Sequence, residues 1–536
     1  MTTNIARLAI AAVGAVLATG IFLIPGATVR AQAGCTALRN GQMVTGNRDM
    51  LARLLATGPC PADAVGFRTL LQTKGGKVAT AFIDNRGFHN PGSGSFSLFG
   101  TVSGQFGQLG AVQDGELFFG HFTVALSSRL ALDLSPARNN LMLEAIAWDN
   151  GKGFYNFYEL RGNGSTGTWS YAGDSADILA DTELLHRQKS SGQVPFGSRL
   201  RCSHCHVNGG PIMKELAAPH NDWWTVDRQL PLGGRQLDAR LAALATGFVS
   251  ADTLSAAVRA GLDKLAVSPQ FNTVRAGRSL QEQLRPLFCA VEINLESDLR
   301  PLDDNLAGTS VPSGMFVDPR LAAGPLQASR ADYDAALRTT GSRFPEIDRR
   351  DADHAWLGPV KGSADQVAVR ALVDSGLIDG EFVSDVLAVD FTNPALSVDR
   401  CGLLKRVPLR AAQGWQADFR AALLAAGDRP AKELLANFTD ASRNEREHRA
   451  TAARFLDACG ARLKAPAFVV SALRLLAQRR QEIATNEISS DPQRQILEPG
   501  FRLIFPNQSG APSGRLRLSE TCEVTSSASL SSAPKH

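Results

Sequence analysis

The sequence predicts an α+β multidomain protein, with an antiparallel β domain followed by two mainly α-helical regions. Three observations carry that prediction. Between residues 76 and 174, short runs rich in Phe, Tyr, Val and Thr are punctuated by Gly, Asn, Asp and Ser, which is strand and turn chemistry. From Ser175 onward, apolar residues recur at spacings of three and four, the period of a helix with one buried face. The length of 536 residues suggests about two to four domains.

Taken in order, residues 1–33 hold Arg7, an apolar run from Leu8 to Ala27, and a small-x-small site at Ala31-Gln32-Ala33. This pattern predicts a secretory signal peptide cleaved after Ala33. The run is also long enough to span a bilayer, so an uncleaved anchor is the alternative. Lipidation of Cys35 fits less well, because Gln32 sits where such sites favour Leu or Val. No later segment is apolar and uncharged for long enough to cross a membrane, so no span is expected after cleavage. The formal charge of +4 includes Arg7 and Arg30, and no acid precedes Gly34, which leaves +2 from there on. That balance, without a clustered basic stripe, argues against a nucleic-acid partner.

Residues 34–75 are expected to be helical, with Arg48–Leu55 a short amphipathic stretch. Residues 76–174 contain VATAFIDNRG, SFSLFGTVSG, ELFFGHFTVAL, LMLEAIAWDN, GFYNFYELRG and TGTWSYAG. We read them as strands of an antiparallel sheet folded as a sandwich or small barrel. Residues 175–325 carry the helical patterns ADILADTELLHRQK, RQLDARLAALATGF, ADTLSAAVRAGLDKL and SLQEQLRPLFCA, and end in a Pro- and Gly-rich stretch at 298–325 that marks a boundary. Residues 326–522 are again mainly helical and end in a hairpin. The Ser- and Ala-rich residues 523–536 are expected to be a disordered tail.

Within the first helical region lies RLRCSHCHVNGGP, which places Cys202, Ser203, His204, Cys205 and His206 together in a chain of eight cysteines and nine histidines. A redox-active dithiol would follow a strand and open a helix, but the preceding SSGQVPFGSRLR has no strand character. A structural zinc site needs four ligands. Cys202, Cys205 and His206 supply three, and only Cys289 or His220, at no recognisable spacing, remain for the fourth. C-x-x-C-H is the attachment signature of c-type haem. Positions i, i+3 and i+4 share a helical face, so both thiols and the imidazole can approach one porphyrin. Accidental matches in a chain of this composition number on the order of 0.002.

At these three residues the chain resembles the c-type cytochromes. The resemblance covers the motif and its surroundings, not the whole chain. It implies one covalent haem c, thioether-linked to Cys202 and Cys205, with His206 as proximal iron ligand and one-electron chemistry at the iron. It also implies that residues 175–325 form a helical c-type haem domain. A single motif excludes likeness to the dihaem peroxidases and oxygenases. The expected protein is thus a periplasmic or secreted monohaem cytochrome-like electron carrier, acting with a redox partner protein or a small-molecule substrate. The alternatives are a haem enzyme with an open iron position and a zinc-stabilised binding protein without a redox role.

For the sixth iron position Met315, in the loop VPSGMFVDP, has better topology than Met213, because Met213 follows His206 too closely. Val207–Pro211 should form a turn away from the haem edge. Trp223 and Trp224 are candidates for packing on the porphyrin or in an ordinary aromatic core. His89 and His121 read as interior strand histidines, and Glu292 and Asp318 as helix caps or distant propionate partners. The six cysteines outside the motif, Cys35, Cys60, Cys289, Cys401, Cys459 and Cys522, are expected to form disulfides in an oxidising compartment, with Cys35–Cys60 the first pair to expect. No nucleophile elbow, phosphate loop or H-E-x-x-H motif is present.

Overall fold

The computed structural model describes residues 35–85, 96–122, 124–125, 129–131, 141–162, 167–187, 206–212, 221–226, 229–230, 236–296, 306–341, 356, 358–439, 445–487 and 515–527. The expected signal peptide, Cys202, Cys205, His89, His204, Met213, His220 and residues 528–536 lie outside them.

The N-terminal segment is more than helical. It begins with a strand pair, β1 (Leu38–Arg39) and β2 (Gln42–Met43), before α1 (Met50–Thr57) and α2 (Ala64–Thr73). Each helix starts on an aspartate. Asp49 Oδ1 accepts from Ala52 N at 2.9 Å and Asp63 Oδ1 from Gly66 N at 2.7 Å, satisfying first-turn amides that would otherwise be orphaned.

All six aromatic-rich runs form strands: β3 (Gly76–Asn85), β4 (Phe96–Gln105), β5 (Ala111–Phe122), β8 (Leu141–Asp149), β9 (Phe154–Gly162) and β10 (Gly167–Asp174). Between them, β6 (Val124–Ala125) and β7 (Arg129–Ala131) join β12 (Gln236–Leu237) in a small separate sheet. A further strand, β11 (Asn221–Trp224), completes a nine-stranded sheet in the order β11-β3-β4-β5-β8-β9-β10-β1-β2. Its pairings are antiparallel except for the parallel contact of β1 with β10.

The expected sandwich or barrel is corrected by this arrangement. One sheet is covered by helices on both faces. The reason is visible along β9, where Tyr155, Asn156, Phe157, Tyr158, Glu159 and Leu160 are all buried in succession. A sandwich strand would alternate between apolar and polar sides. Instead Tyr158 and Leu160 join a core with Phe82, Leu117, Phe119 and Trp169 beneath α1, α2 and α4 (Ala239–Ala245). Tyr155 and Phe157 face the other way, against α3 (Ser175–Arg187), α5 (Ala251–Ala266) and α6 (Pro269–Ala276). Close strand packing uses two reciprocal pairs. Gly100 stands opposite Phe119 and Gly120 opposite Phe99, so each ring covers its partner's bare Cα.

The C-terminal half is mainly helical. It comprises α7 (Leu280–Phe288), α8 (Arg330–Thr340), α9 (Ser363–Asp374), α10 (Gly380–Ala388), α11 (Val398–Leu403), α12 (Trp415–Ala426), α13 (Arg429–Thr439), α14 (Glu445–Arg462) and α15 (Pro466–Glu487). Two antiparallel pairs interrupt the helices: β13 (Ile293–Glu296) with β16 (Gly358–Lys361), and β14 (Gly308–Val311) with β15 (Leu326–Ser329). A core running from Leu280 to Cys522 unites them. In the described part of the Pro- and Gly-rich stretch, Val311, Met315, Phe316, Val317 and Leu321 are buried in that core. The expected hairpin exists as β17 (Arg515–Leu518) and β18 (Val524–Ser527). Ordered strand therefore replaces the first residues of the expected disordered tail.

The six cysteines outside the motif form three disulfides, Cys35–Cys60, Cys289–Cys401 and Cys459–Cys522. The first is the pair that sequence proximity predicted.

Candidate functional site

Of the predicted cofactor residues, His206 is described and Cys202 and Cys205 are not. His206 opens a turn whose geometry follows from its glycines. Gly209 N donates to His206 O at 2.8 Å, with Gly209 at φ +73°, a conformation that disfavours side chains. A β-carbon there would lie 2.9 Å from Ser175 O. Ser175, at the start of α3, ties the turn to the sheet. Its Oγ donates to Gly209 O at 2.6 Å and accepts from Tyr155 N at 3.0 Å. Val207, Gly209, Gly210 and Pro211 are all buried. The turn expected at Val207–Pro211 is therefore present and clamped between α3, β9 and α5.

The His206 ring is half-buried and meets Phe157 edge to face, with centroids 5.3 Å apart. Its Nδ1 lies 2.7 Å from Gly210 O. A carbonyl oxygen only accepts, so Nδ1 carries the proton and the lone pair of the neutral ring sits on Nε2. A backbone carbonyl holding one imidazole nitrogen is the usual support of a histidine that ligates metal through the other.

Met315 lies elsewhere. It ends a 3-10 turn, Ser313–Met315, and is buried in the C-terminal core. Its main-chain oxygen accepts from Arg479 Nη1. That core shares no residue with the cluster of Phe157 beneath His206. The structure therefore does not bring Met315 and His206 into one cluster. Trp224 pairs with Phe82 in β3 and packs 6.3 Å from its ring in the sheet core, so it takes the aromatic-core role. The main chain of His121 sits in β5 opposite Leu98. Cys289 is committed to Cys401, which removes it as a fourth zinc ligand. Among the described residues, no three His, Cys, Asp or Glu side chains gather as a metal site.

Glu292 and Asp318 belong to a buried ionic web. Asp318 pairs with Arg320 at 2.8 Å. Burial raises the Asp318 pKa, but the Arg320 charge and its hydrogen bonds outweigh that and hold the carboxyl below its usual range. Glu292 Oε1 accepts from Ala364 N at 3.4 Å, at the start of α9. Beside it Lys361 Nζ donates to Pro286 O at 2.6 Å, Leu287 O at 3.2 Å and Cys289 O. Three acceptors match the three donors of an ammonium, so the web caps the carbonyl end of α7. This is a structural role.

Sequence reasoning missed two features. The first joins Asp49, Asn156, Tyr158, Lys152, Tyr171 and Asp174. Asp49 Oδ2 accepts from Tyr158 Oη at 2.6 Å and Asn156 Nδ2 at 2.7 Å. Lys152 Nζ donates to Asn156 Oδ1 at 2.8 Å and Asp174 Oδ2 at 2.9 Å. The network fastens the start of α1 to the sheet. The second is a small, half-open cleft beside the His206 turn, between α3, α5, α6, α7 and α9. Asn208 lines it with Leu262, Leu265 and Phe271 on the apolar side and Arg275, Arg278, Glu282 and Gln283 on the polar side. Burial, and then the Arg278 charge, pull the Arg275 pKa down to about 10. No local motif marks either feature. No family model, curated protein or solved structure matches this chain.

Proposed function

We propose that this chain is an exported monohaem c-type cytochrome-like protein that transfers single electrons. The observation that carries the reading is the His206 imidazole. It stands at the last position of C-x-x-C-H with Nδ1 held by the Gly210 carbonyl at 2.7 Å, which fixes the orientation of the ring. The donor set fits haem c: two thiols for thioether links at Cys202 and Cys205, and one oriented imidazole. Pairing of the other six cysteines with one another supports the same reading, since it leaves the motif's two thiols for the cofactor. It also fits an oxidising, periplasmic or secreted location, where c-type attachment takes place.

When bound, haem supplies reversible one-electron change at iron. The chain's own contributions are orientation and shielding. Gly210 fixes the His206 tautomer, Phe157 covers the ring edge, and the buried turn on α3 and α5 holds both in place. Met315 is the sequence's candidate sixth ligand, and its place in the C-terminal core supports a packing role instead. An open sixth position, with ligand chemistry, is the reading that follows if Met315 only packs. We also infer an α+β multidomain organisation. The two cores on the sheet and the C-terminal core from Leu280 onward support it.

The test is chemical. Protein matured by export should begin at Gly34 and keep one haem per chain through acid-acetone extraction and boiling in denaturant. Cys202→Ala with Cys205→Ala should abolish attachment. A colourless product with stoichiometric zinc would sink the proposal.

A further inference from the structure

We propose that the cleft beside the His206 turn is a carboxylate-binding site with an apolar wall, in which Arg275 and Asn208 are the recognition groups. Two observations point to an acceptor-rich, negatively charged ligand. The Arg275 guanidinium bonds only neutral oxygens among the described residues, Asn272 Oδ1 at 3.3 Å and Ala368 O at 3.4 Å. Its neighbour Arg278 has a carboxylate, Glu282, at 3.2 Å. Arg275 stays charged at any physiological pH, and a buried cation without a counter-charge is costly unless something supplies one. The second observation is Asn208 Nδ2. It is a buried donor with no acceptor among the described residues, and it lines the same cleft.

A carboxylate answers both needs, because it carries the missing charge and offers two oxygens to a planar guanidinium. The rest of the wall narrows the class. Leu179, Leu262, Leu265, Phe271 and Val367 make it apolar, as binding pockets with a few placed polar groups generally are. The ligand is therefore a carboxylate on a hydrophobic body. Two sources have that chemistry. One is the pair of propionates of a porphyrin attached at the adjoining motif, which rests on the haem reading. The other is a free apolar-tailed carboxylate, which does not.

The experiment uses the full mature protein as isolated, titrated calorimetrically with octanoate and with 1-octanol. The Arg275→Met and Arg275→Lys variants are titrated in parallel, and the midpoint potential of any haem is followed against pH. Octanoate binding at least about tenfold tighter than octanol, lost in Arg275→Met and partly kept in Arg275→Lys, supports the site with a free ligand. Absence of octanoate binding to haem-bearing protein, with the pH-dependent part of the potential displaced in Arg275→Met, supports the site with propionates as occupants. A haem-free protein that still prefers octanoate through Arg275 keeps the site and removes the haem reading. No preference for octanoate, together with an unchanged potential or no haem at all, overturns the site. Should Arg275→Met not fold, Asn208→Leu removes a donor without touching the charge and is read in the same way.

Discussion

Gly261, in the middle of α5, shows how little room surrounds the His206 turn. A β-carbon there would fall 2.6 Å from Tyr155 Oη, 2.8 Å from Gly115 O and 3.0 Å from Pro211 Cγ. Helix propensity alone makes Gly261→Ala stabilising by about 1 kcal/mol. Overpacking a filled site costs about 1–3 kcal/mol, and the Tyr155 hydroxyl must also give up its bond to Gly115 O, worth about 1 kcal/mol. We therefore expect a net loss of about 1–3 kcal/mol in urea unfolding. A more stable variant would refute the packing. Asp49 gives a second test at this scale. Burial raises its pKa above 3.8, against the lowering effect of bonds from Tyr158, Ala52 and Asn156. The folded state then holds the proton more tightly than the unfolded state. The contribution of Asp49 is complete below about pH 3.8 and is lost as pH rises through the folded value. Asp49→Asn keeps a good helix cap and does not titrate. The stability of wild type relative to Asp49→Asn should thus fall as pH rises above about 4 and then level off. A rise over the same range would mean that the hydrogen bonds, not burial, set the pKa.

At the scale of elements, strands were the most legible part of the chain. All six runs became strands because aromatic and β-branched clusters bounded by glycine and polar turns specify them locally. What covers the sheet was not legible, since period alone does not say whether a second apolar face meets another sheet or a helix. The short β1, β2 and β11 were missed for a related reason. They lie at the two ends of the sheet; β1 and β11 are placed by partners far along the chain, as when Leu38 meets Ser170, and β2 is held only by β1. The C-terminal hairpin was legible, but its anchoring was not. Cys522 is bonded to Cys459 of α14 across 63 residues, and Arg462 adds bonds to Thr521 O at 2.7 Å and Glu523 at 2.6 Å. Closing a loop of that length contributes about 4 kcal/mol in the chain-entropy model. Replacing both cysteines by serine should lower stability by about 2–4 kcal/mol. Limited proteolysis should then cut the hairpin before any site in the β3–β10 sheet. Equal cleavage in both would show that the halves unfold as one unit.

At the scale of the whole molecule, the candidate site divides in the same way. The turn after His206 could be read because paired Gly followed by Pro carries turn chemistry at fixed spacing. The cleft could not, because its walls come from five helices of one described face and Arg275 sits in an unremarkable QFNTVRAGRSL. Met315 illustrates the limit from the other side. Its Pro- and Gly-bearing loop gives no sign that Met315 is buried in the C-terminal core. Local signals name the chemistry of a residue, and only tertiary packing decides which residues meet.

The edge strand β11 has a consequence for how the motif segment is held. The turn from His206 to Ile212 is fixed to α3 and α5, and a short stretch later the chain is fixed again where Asn221–Trp224 pair with Phe82–Asn85. In the sheet β11 has only β3 as a neighbour, and an edge strand with one neighbour opens more readily than the sheet's interior. The backbone amides of this strand are therefore a sensitive marker of opening at this edge of the sheet. Their rate of exchange with deuterated solvent reports how often β11 opens away from β3.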